Sequence, residues 1–226
     1  MSYVCRMKVL ITGTTGMVGE GVLQVCLHHS AIDEVIIINR RSVGMKHPKL
    51  QELIVPDLFD LSSIESHLHN IDACYFCLGI TSVGISQEAY EKTTFELTMS
   101  IAQCLVTRNP KMTYCYISGQ GTDSSEKGRT HWARIKGKTE NELRKLPFKQ
   151  VFAYRPGFIK PMHGLQHTKS FYKYINWLYP IGRWLYPNGF NTLQEIGMSM
   201  ISVTQFGCDD FILNGKQITS TANRTS

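Results

Sequence analysis

Lys8-Val-Leu-Ile-Thr-Gly-Thr-Thr-Gly-Met-Val-Gly19 is the run whose reading decides the fold. Val9, Leu10 and Ile11 form a continuous apolar stretch bounded by Gly13, the pattern of a buried strand in a parallel sheet. Past the glycines, Val18, Val22 and Val25 recur at helical spacing, so the period changes from strand to helix. A strand that stops on glycines and feeds a helix offers backbone N–H groups and the positive end of the helix dipole to an anion, for which a dinucleotide pyrophosphate is the natural occupant. In that arrangement Gly13 permits the tight turn, Gly16 the close approach of the phosphates, and Gly19 the close packing of helix against sheet. The spacing is G-x-x-G-x-x-G, not G-x-G-x-x-G, and an ordinary glycine-rich turn is the competing reading.

Outward from this run, the 226 residues suffice for one good core and leave no room for a second full-sized domain. A composition of 42% hydrophobic and 19% charged residues is that of a globular chain. The first strand begins too early for a secretory signal to precede it, and no apolar run approaches the ~18 residues of a membrane span, so a cytoplasmic location is expected. Seven cysteines, at 5, 26, 74, 77, 104, 115 and 208, are an odd set scattered through apparent core elements and read as reduced, buried thiols. Cys74-x-x-Cys77 has redox or metal spacing, but it sits in an apolar run without a second ligand pair, so core packing is expected and no metal. The net charge of +6 is uneven: no Asp or Glu stands between Leu143 and Gln194, which gives that segment a positive field.

In chain order, Val35–Ile38 reads as a second buried strand ending in Asn39-Arg40-Arg41. An acidic residue at this point would accept hydrogen bonds from a ribose diol, whereas cations favour a 2′-phosphate, so Arg40 and Arg41 argue for NADP over NAD; a solvated basic loop is the alternative. Leu53–Val55 is a third strand leading to Asp57, either an adenine-edge acceptor or a turn residue. A short helix near Ser62–Leu68, a strand Ala73–Leu78, a long helix Gln87–Val106 and a strand Thr113–Ile117 follow. Then come a polar loop, a helix His131–Leu146, a strand Val151–Tyr154, a capping box at Thr192 and Glu195 opening a further helix, and a last strand Phe211–Leu213. Strands alternating with helices imply an α/β fold of the Rossmann type, a doubly wound parallel sheet with ligands at the carboxyl ends of the strands, where Ser118 falls.

Between Ser170 and Phe190 the aromatic residues Phe171, Tyr172, Tyr174, Trp177, Tyr179, Trp184, Tyr186 and Phe190 crowd together. A hydrophobic subdomain packed on the sheet, a substrate lid, and a weak peripheral membrane contact all suit this composition. No nucleic-acid partner is expected.

Thr12-Gly-Thr-Thr-Gly-Met-Val-Gly19, Asn39-Arg-Arg41, Asp57-Leu58, Cys77-Leu-Gly79, Ser118, Lys136 and Arg155-Pro-Gly157 together resemble the short-chain dehydrogenase/reductase superfamily, in particular its extended and atypical epimerase/dehydratase-like members. Cys77-Leu-Gly79, Ile135-Lys-Gly137 and Arg155-Pro-Gly157 are similar to signatures of the Tat-interacting, oxidoreductase-like proteins. The resemblance implies a dinucleotide-binding core over 1–161 and a small substrate or lid region with the last helix and strand over 162–226, in one domain. It implies cofactor contacts from Gly13, Thr15, Gly16, Met17, Val18, Gly19, Arg40, Arg41, Asp57, Leu58, Cys77, Leu78, Gly79, Lys136, Pro156, Gly157 and Phe158. Ser118 corresponds to the serine that polarises the substrate and Lys136 to the lysine that holds the ribose. Trp132 stands where the family's Tyr-x-x-x-Lys motif has its tyrosine. An indole N–H donates a hydrogen bond but does not usefully ionise, so the usual proton donor is missing; His131, Lys136, Glu140 and Tyr116 are the candidates to replace it. The implied function is an NADP(H)-dependent oxidoreductase or epimerase acting on a small-molecule carbonyl or hydroxyl substrate; the rival is an NADP(H)-binding regulatory module without turnover.

Overall fold

The computed structural model describes residues 6–162, 164, 165, 179, 182, 184 and 186–224. Strand β1 (Met7–Thr12) is its centre, pairing in parallel with β2 (Ile32–Asn39) on one side and β4 (Ala73–Phe76) on the other. With β3 (Leu50–Ile54), β5 (Thr113–Ile117), β6 (Gln150–Arg155) and β9 (Ile212–Asn214) the sheet has seven strands in the order β3-β2-β1-β4-β5-β6-β9. All of its pairings are parallel. Two short strands, β7 (Phe158–Lys160) and β8 (Phe190–Thr192), form a separate parallel pair.

The alternation of side chains along each strand builds the two layers. Val9, Ile11, Val35, Ile37 and Tyr75 face one core, closed by α1 (Met17–His28), α5 (Leu193–Phe206) and α6 (Gly215–Ala222) through Val22, Cys26, Ile196, Met200 and Ile218. Leu10, Ile36, Ile38, Cys74 and Phe76 face the other, where α3 (Leu97–Arg108) and α4 (His131–Lys145) contribute Leu97, Ile101, Leu105 and Leu143. Both faces are covered, which is why the strands read as unbroken apolar runs.

The seven expected strands are present, with shifted ends. β3 begins at Leu50, ahead of the expected Leu53, and leaves Val55 outside; it is an edge strand, so the polar Gln51 and Glu52 extend it without being forced into a core. β4 stops at Phe76, short of the expected Leu78, and β9 runs Ile212–Asn214 where Phe211–Leu213 was expected. The capping box forms as read, with Thr192 Oγ1 accepting from Glu195 N at 3.0 Å and Glu195 Oε2 accepting from Thr192 N at 2.7 Å.

Sequence patterning misses α6, whose Thr- and Ser-rich run carries little periodicity, and the pair β7–β8, too short to show any. It also misses a π-helical turn, Lys92–Glu96, between α2 (Gln87–Glu91) and α3. In the aromatic segment, Phe171, Tyr172, Tyr174 and Trp177 lie outside the described residues. Tyr179 is buried with its ring 6.3 Å from that of Phe158 and 5.9 Å from that of Phe190, whereas Trp184 is 81% exposed. No described helix is long and apolar enough to cross a membrane.

Candidate functional site

The turn between β1 and α1 is shaped by its glycines. Gly13 takes a positive φ of 73°, and a Cβ there would lie 2.6 Å from the backbone of Leu78, so only glycine lets this turn close on the exit of β4. Gly16 donates to the Gly13 carbonyl at 3.0 Å and precedes an α1 first turn that has no side-chain cap. A Cβ on Gly16 would meet only that carbonyl oxygen, at 3.4 Å, and otherwise fill open space. A Cβ on Gly19 would come within 2.3 Å of the Gly13 oxygen. The close packing expected of Gly19 is therefore against the loop itself and not against the sheet.

In front of this turn, at the carboxyl ends of β1, β2 and β4, opens a cleft of about 460 Å³. Of the expected cofactor residues it is lined by Gly13, Thr15, Gly16, Arg40, Asp57, Leu58, Cys77, Leu78 and Gly79. Met17, Val18, Gly19, Arg41, Lys136, Pro156, Gly157 and Phe158 do not line it. Gly157 has a packing reason instead: a Cβ would lie 2.5 Å from both Gln120 Oε1 and the Gly189 carbonyl oxygen. Sequence reading missed Phe59, Ile80, Thr93 and Leu97, which also line the cleft. Phe59 and Ile80 directly follow residues that were expected, and a strand exit is the available signal; Thr93 lies in the π turn.

Asp57 lines the cleft and also makes the expected turn, its Oδ1 accepting from Phe59 N at 3.0 Å. Arg40 and Arg41 are exposed, and among the described residues neither has an ion-pair partner. Cys77 reaches the cleft, but burial pushes its thiol up, and Cys74 is fully buried with its thiol raised likewise; neither is a thiolate at neutral pH.

A second group of side chains gathers where β5 meets α4. Ser118 is buried, and its Oγ donates to the Tyr154 carbonyl at 3.0 Å. Lys136 Nζ donates to the carbonyls of Ser118 and of Ile117, the latter at 3.4 Å, so the two expected catalytic residues meet through the main chain of Ser118. Burial lowers the Lys136 pKa to about 8, with Glu140 pulling it back up. Gly137 lets α4 sit on the preceding loop, since a Cβ there would overlap the Asp123 carbonyl at 1.8 Å. Trp132 shares the helical face of Lys136, and its indole edge packs over Gly121, where a Cβ would be 3.2 Å from Cη2.

Of the other candidate proton donors, Tyr116 and Glu140 are buried. Tyr116 is 2% exposed, inside the α3–α4 core, with its phenol pushed up by burial. Glu140 is buried and held by Arg155, whose Nε donates to Glu140 Oε1 at 3.0 Å. The His131 ring stands against Tyr90, with centroids 6.2 Å apart. Neither Ser118, Trp132 nor Lys136 lines the 460 Å³ cleft.

A sequence profile of the NAD dependent epimerase/dehydratase family matches residues 9–141. Leucinostatins biosynthesis cluster protein T of Purpureocillium lilacinum is 26% identical over 165 residues, covering 70% of this chain and 60% of its own length. The mitochondrial protein fmp52 of Emericella nidulans is 28% identical over 158 residues, covering 67% of this chain and 66% of its own. The chain thus spans less than two thirds of the length of these curated relatives. Among solved structures, UDP-N-acetylglucosamine 4-epimerase from Methanobrevibacter ruminantium M1, in complex with UDP-N-acetylmuramic acid, superposes with a TM-score of 0.66 at 14% identity, over 95% of this chain and 80% of that one. The Bordetella bronchiseptica enzyme WbmF in complex with NAD+ superposes with a TM-score of 0.65 at 12% identity, over 98% and 79%. At such identities the likeness is one of fold.

Proposed function

The chain belongs to the NAD dependent epimerase/dehydratase family, and from that premise we propose that it binds NADP(H) in the cleft and acts as an oxidoreductase or epimerase on a small-molecule carbonyl or hydroxyl substrate. One observation carries the reading: Gly16, beside which a side chain would fill open space, and the exposed Arg40 line the same cleft. These residues fit a dinucleotide, with Gly13 and Gly16 holding the pyrophosphate and Arg40, supported by Arg41, meeting a 2′-phosphate. When bound, the nicotinamide supplies or takes up the two electrons of the reaction.

The remaining chemistry falls to the chain. Lys136, with a pKa near 8, gains and loses a proton close to neutral pH and takes the proton-transfer role that Trp132 cannot. Ser118 polarises a substrate oxygen only after giving up its bond to the Tyr154 carbonyl. The part of 162–226 outside α5, β9 and α6 serves as the substrate or lid region, a reading supported by the Gln120 Nε2 to Tyr186 Oη bond of 2.7 Å that ties the loop after β5 to it.

A second reading is favoured by the indole at the tyrosine position and by the engaged Ser118 hydroxyl: a module that binds NADP(H) and does not turn it over. Following NADPH consumption over a panel of aldehydes and ketones, beside calorimetric NADPH binding, separates the two. Slow turnover with at least one carbonyl is expected; binding without turnover gives the second reading, and no binding of either nicotinamide nucleotide overturns both.

A further inference from the structure

The turn that carries Arg40 and Arg41 is fastened by a side chain that does not line the cleft. Glu52 lies on the edge strand β3, in register with Ile37 of β2. Its Oε1 accepts from Asn39 Nδ2 at 3.2 Å and from Val43 N at 2.9 Å, and its Oε2 accepts from Ser42 Oγ at 2.5 Å. Ser42 Oγ in turn accepts from Gly44 N at 3.0 Å. One carboxylate therefore grips the chain on both sides of the two arginines. The grip continues to the phosphate loop, because Asn39 Oδ1 accepts from Thr14 Oγ1 at 3.0 Å, between two buried residues.

This arrangement has two consequences for a ribose at the end of β2. Asn39 Oδ1 already holds one protein donor and the Glu52 carboxylate three, so a diol at these two side chains would have to share their oxygens with the protein. Among the described residues the guanidinium groups of Arg40 and Arg41 have no ion-pair partner, and these hydrogen bonds hold the turn bearing them, which lowers the ordering cost of binding. We propose that Glu52 is a positioning residue that sets the preference for a ribose carrying a 2′-phosphate over one with a free 2′-hydroxyl, by holding the Arg40–Arg41 turn between Asn39 and Ser42. The proposal rests on the NADP(H) reading above.

The test is calorimetric binding of NADPH and of NADH to the wild-type chain, Glu52→Ala and Ser42→Ala, with melting temperatures recorded. If Glu52 positions the turn, Glu52→Ala weakens NADPH about fivefold relative to NADH, equivalent to about 1 kcal/mol, while NADH affinity stays within about twofold. A carboxylate acting only as a nearby negative charge gives the opposite sign, since its removal tightens NADPH; that result, or an unchanged ratio, overturns the proposal. Ser42 is exposed and its replacement leaves the core untouched, so Ser42→Ala keeps the test open should Glu52→Ala not fold. A smaller fall in the ratio supports the proposal and an unchanged ratio contradicts it. A wild-type chain that binds NADPH and NADH equally overturns the NADP(H) reading itself, whereas a wild-type preference that survives both substitutions overturns only the role of Glu52.

Discussion

The exits of β1, β2 and β4 and the exit of β5 lie on the same edge of one sheet, yet their polar groups are in opposite states. Around the cleft the protein leaves capacity open: an α1 first turn without a side-chain cap, space in front of Gly16, and Arg40 and Arg41, which have no ion-pair partner among the described residues. At the β5–α4 junction the protein closes its groups on itself, with Ser118 on the Tyr154 carbonyl, Lys136 on the carbonyls of Ile117 and Ser118, and Glu140 on Arg155. The first region has open space beside Gly16 and Arg40, whereas the second must break internal hydrogen bonds before its groups can act on a ligand. The difference separates binding from chemistry, and each region has substitutions that break one without the other.

The largest effect is expected in the open region. Gly16→Val abolishes nucleotide binding while the melting temperature stays close to wild type, because the new side chain enters the cleft and not the core. Gly19→Val loses binding too, but also costs ~1–3 kcal/mol of stability, since its Cβ would overlap the Gly13 carbonyl. Calorimetry and thermal melts on both variants check this; retained binding in Gly16→Val breaks the phosphate-loop assignment.

In the closed region, Trp132→Tyr places a phenol four residues before Lys136 on the same face and is expected to raise carbonyl reduction by ~10²-fold, the low end for a restored general acid, at unchanged NADPH affinity. The smaller ring leaves a gap over Gly121, so stability is measured alongside. Fast wild-type turnover that falls in the variant means that Trp132 shapes the substrate pocket.

A smaller effect follows from the lowered pKa of Lys136. Burial favours its neutral form, so the ammonium that donates the proton is lost as pH rises through about 8. The reduction rate is expected to fall about tenfold between pH 7 and pH 9, with NADPH affinity following a different profile. A flat rate over that range removes Lys136 as donor. Smallest of all, Arg40→Ala/Arg41→Ala lowers the NADPH over NADH preference about five- to tenfold, as expected for lost charge-assisted contacts on an exposed loop, read as the ratio of the two dissociation constants.

Legibility in the sequence followed the same division. The sheet was readable because β1, β2, β4 and β5 are buried on both faces and show as apolar runs, and the phosphate turn because glycines mark a strand-to-helix change. Most of the cleft residues followed from strand exits. What escaped has no local signature. Thr93 lies in a π turn that the sequence does not mark, and the Glu52 hydrogen bonds depend on Asn39, Ser42 and Val43 being folded onto a neighbouring strand. The engaged state of Ser118 needs the Tyr154 carbonyl, which only the β5–β6 pairing brings near. Trp132 was conspicuous in the sequence, whereas the elimination of Tyr116 and Glu140 required their burial.

The central claim is that the cleft is a preformed NADP(H) site whose capacity is independent of the closed junction beside it. Calorimetric titration of the wild-type chain and of Lys136→Met with NADPH and NADH tests it most directly. The account predicts one site per chain, tighter for NADPH than for NADH in both proteins, with the ratio of the two affinities unchanged by the substitution. Absence of binding to the wild-type chain, or loss of the NADPH preference in Lys136→Met, would contradict it.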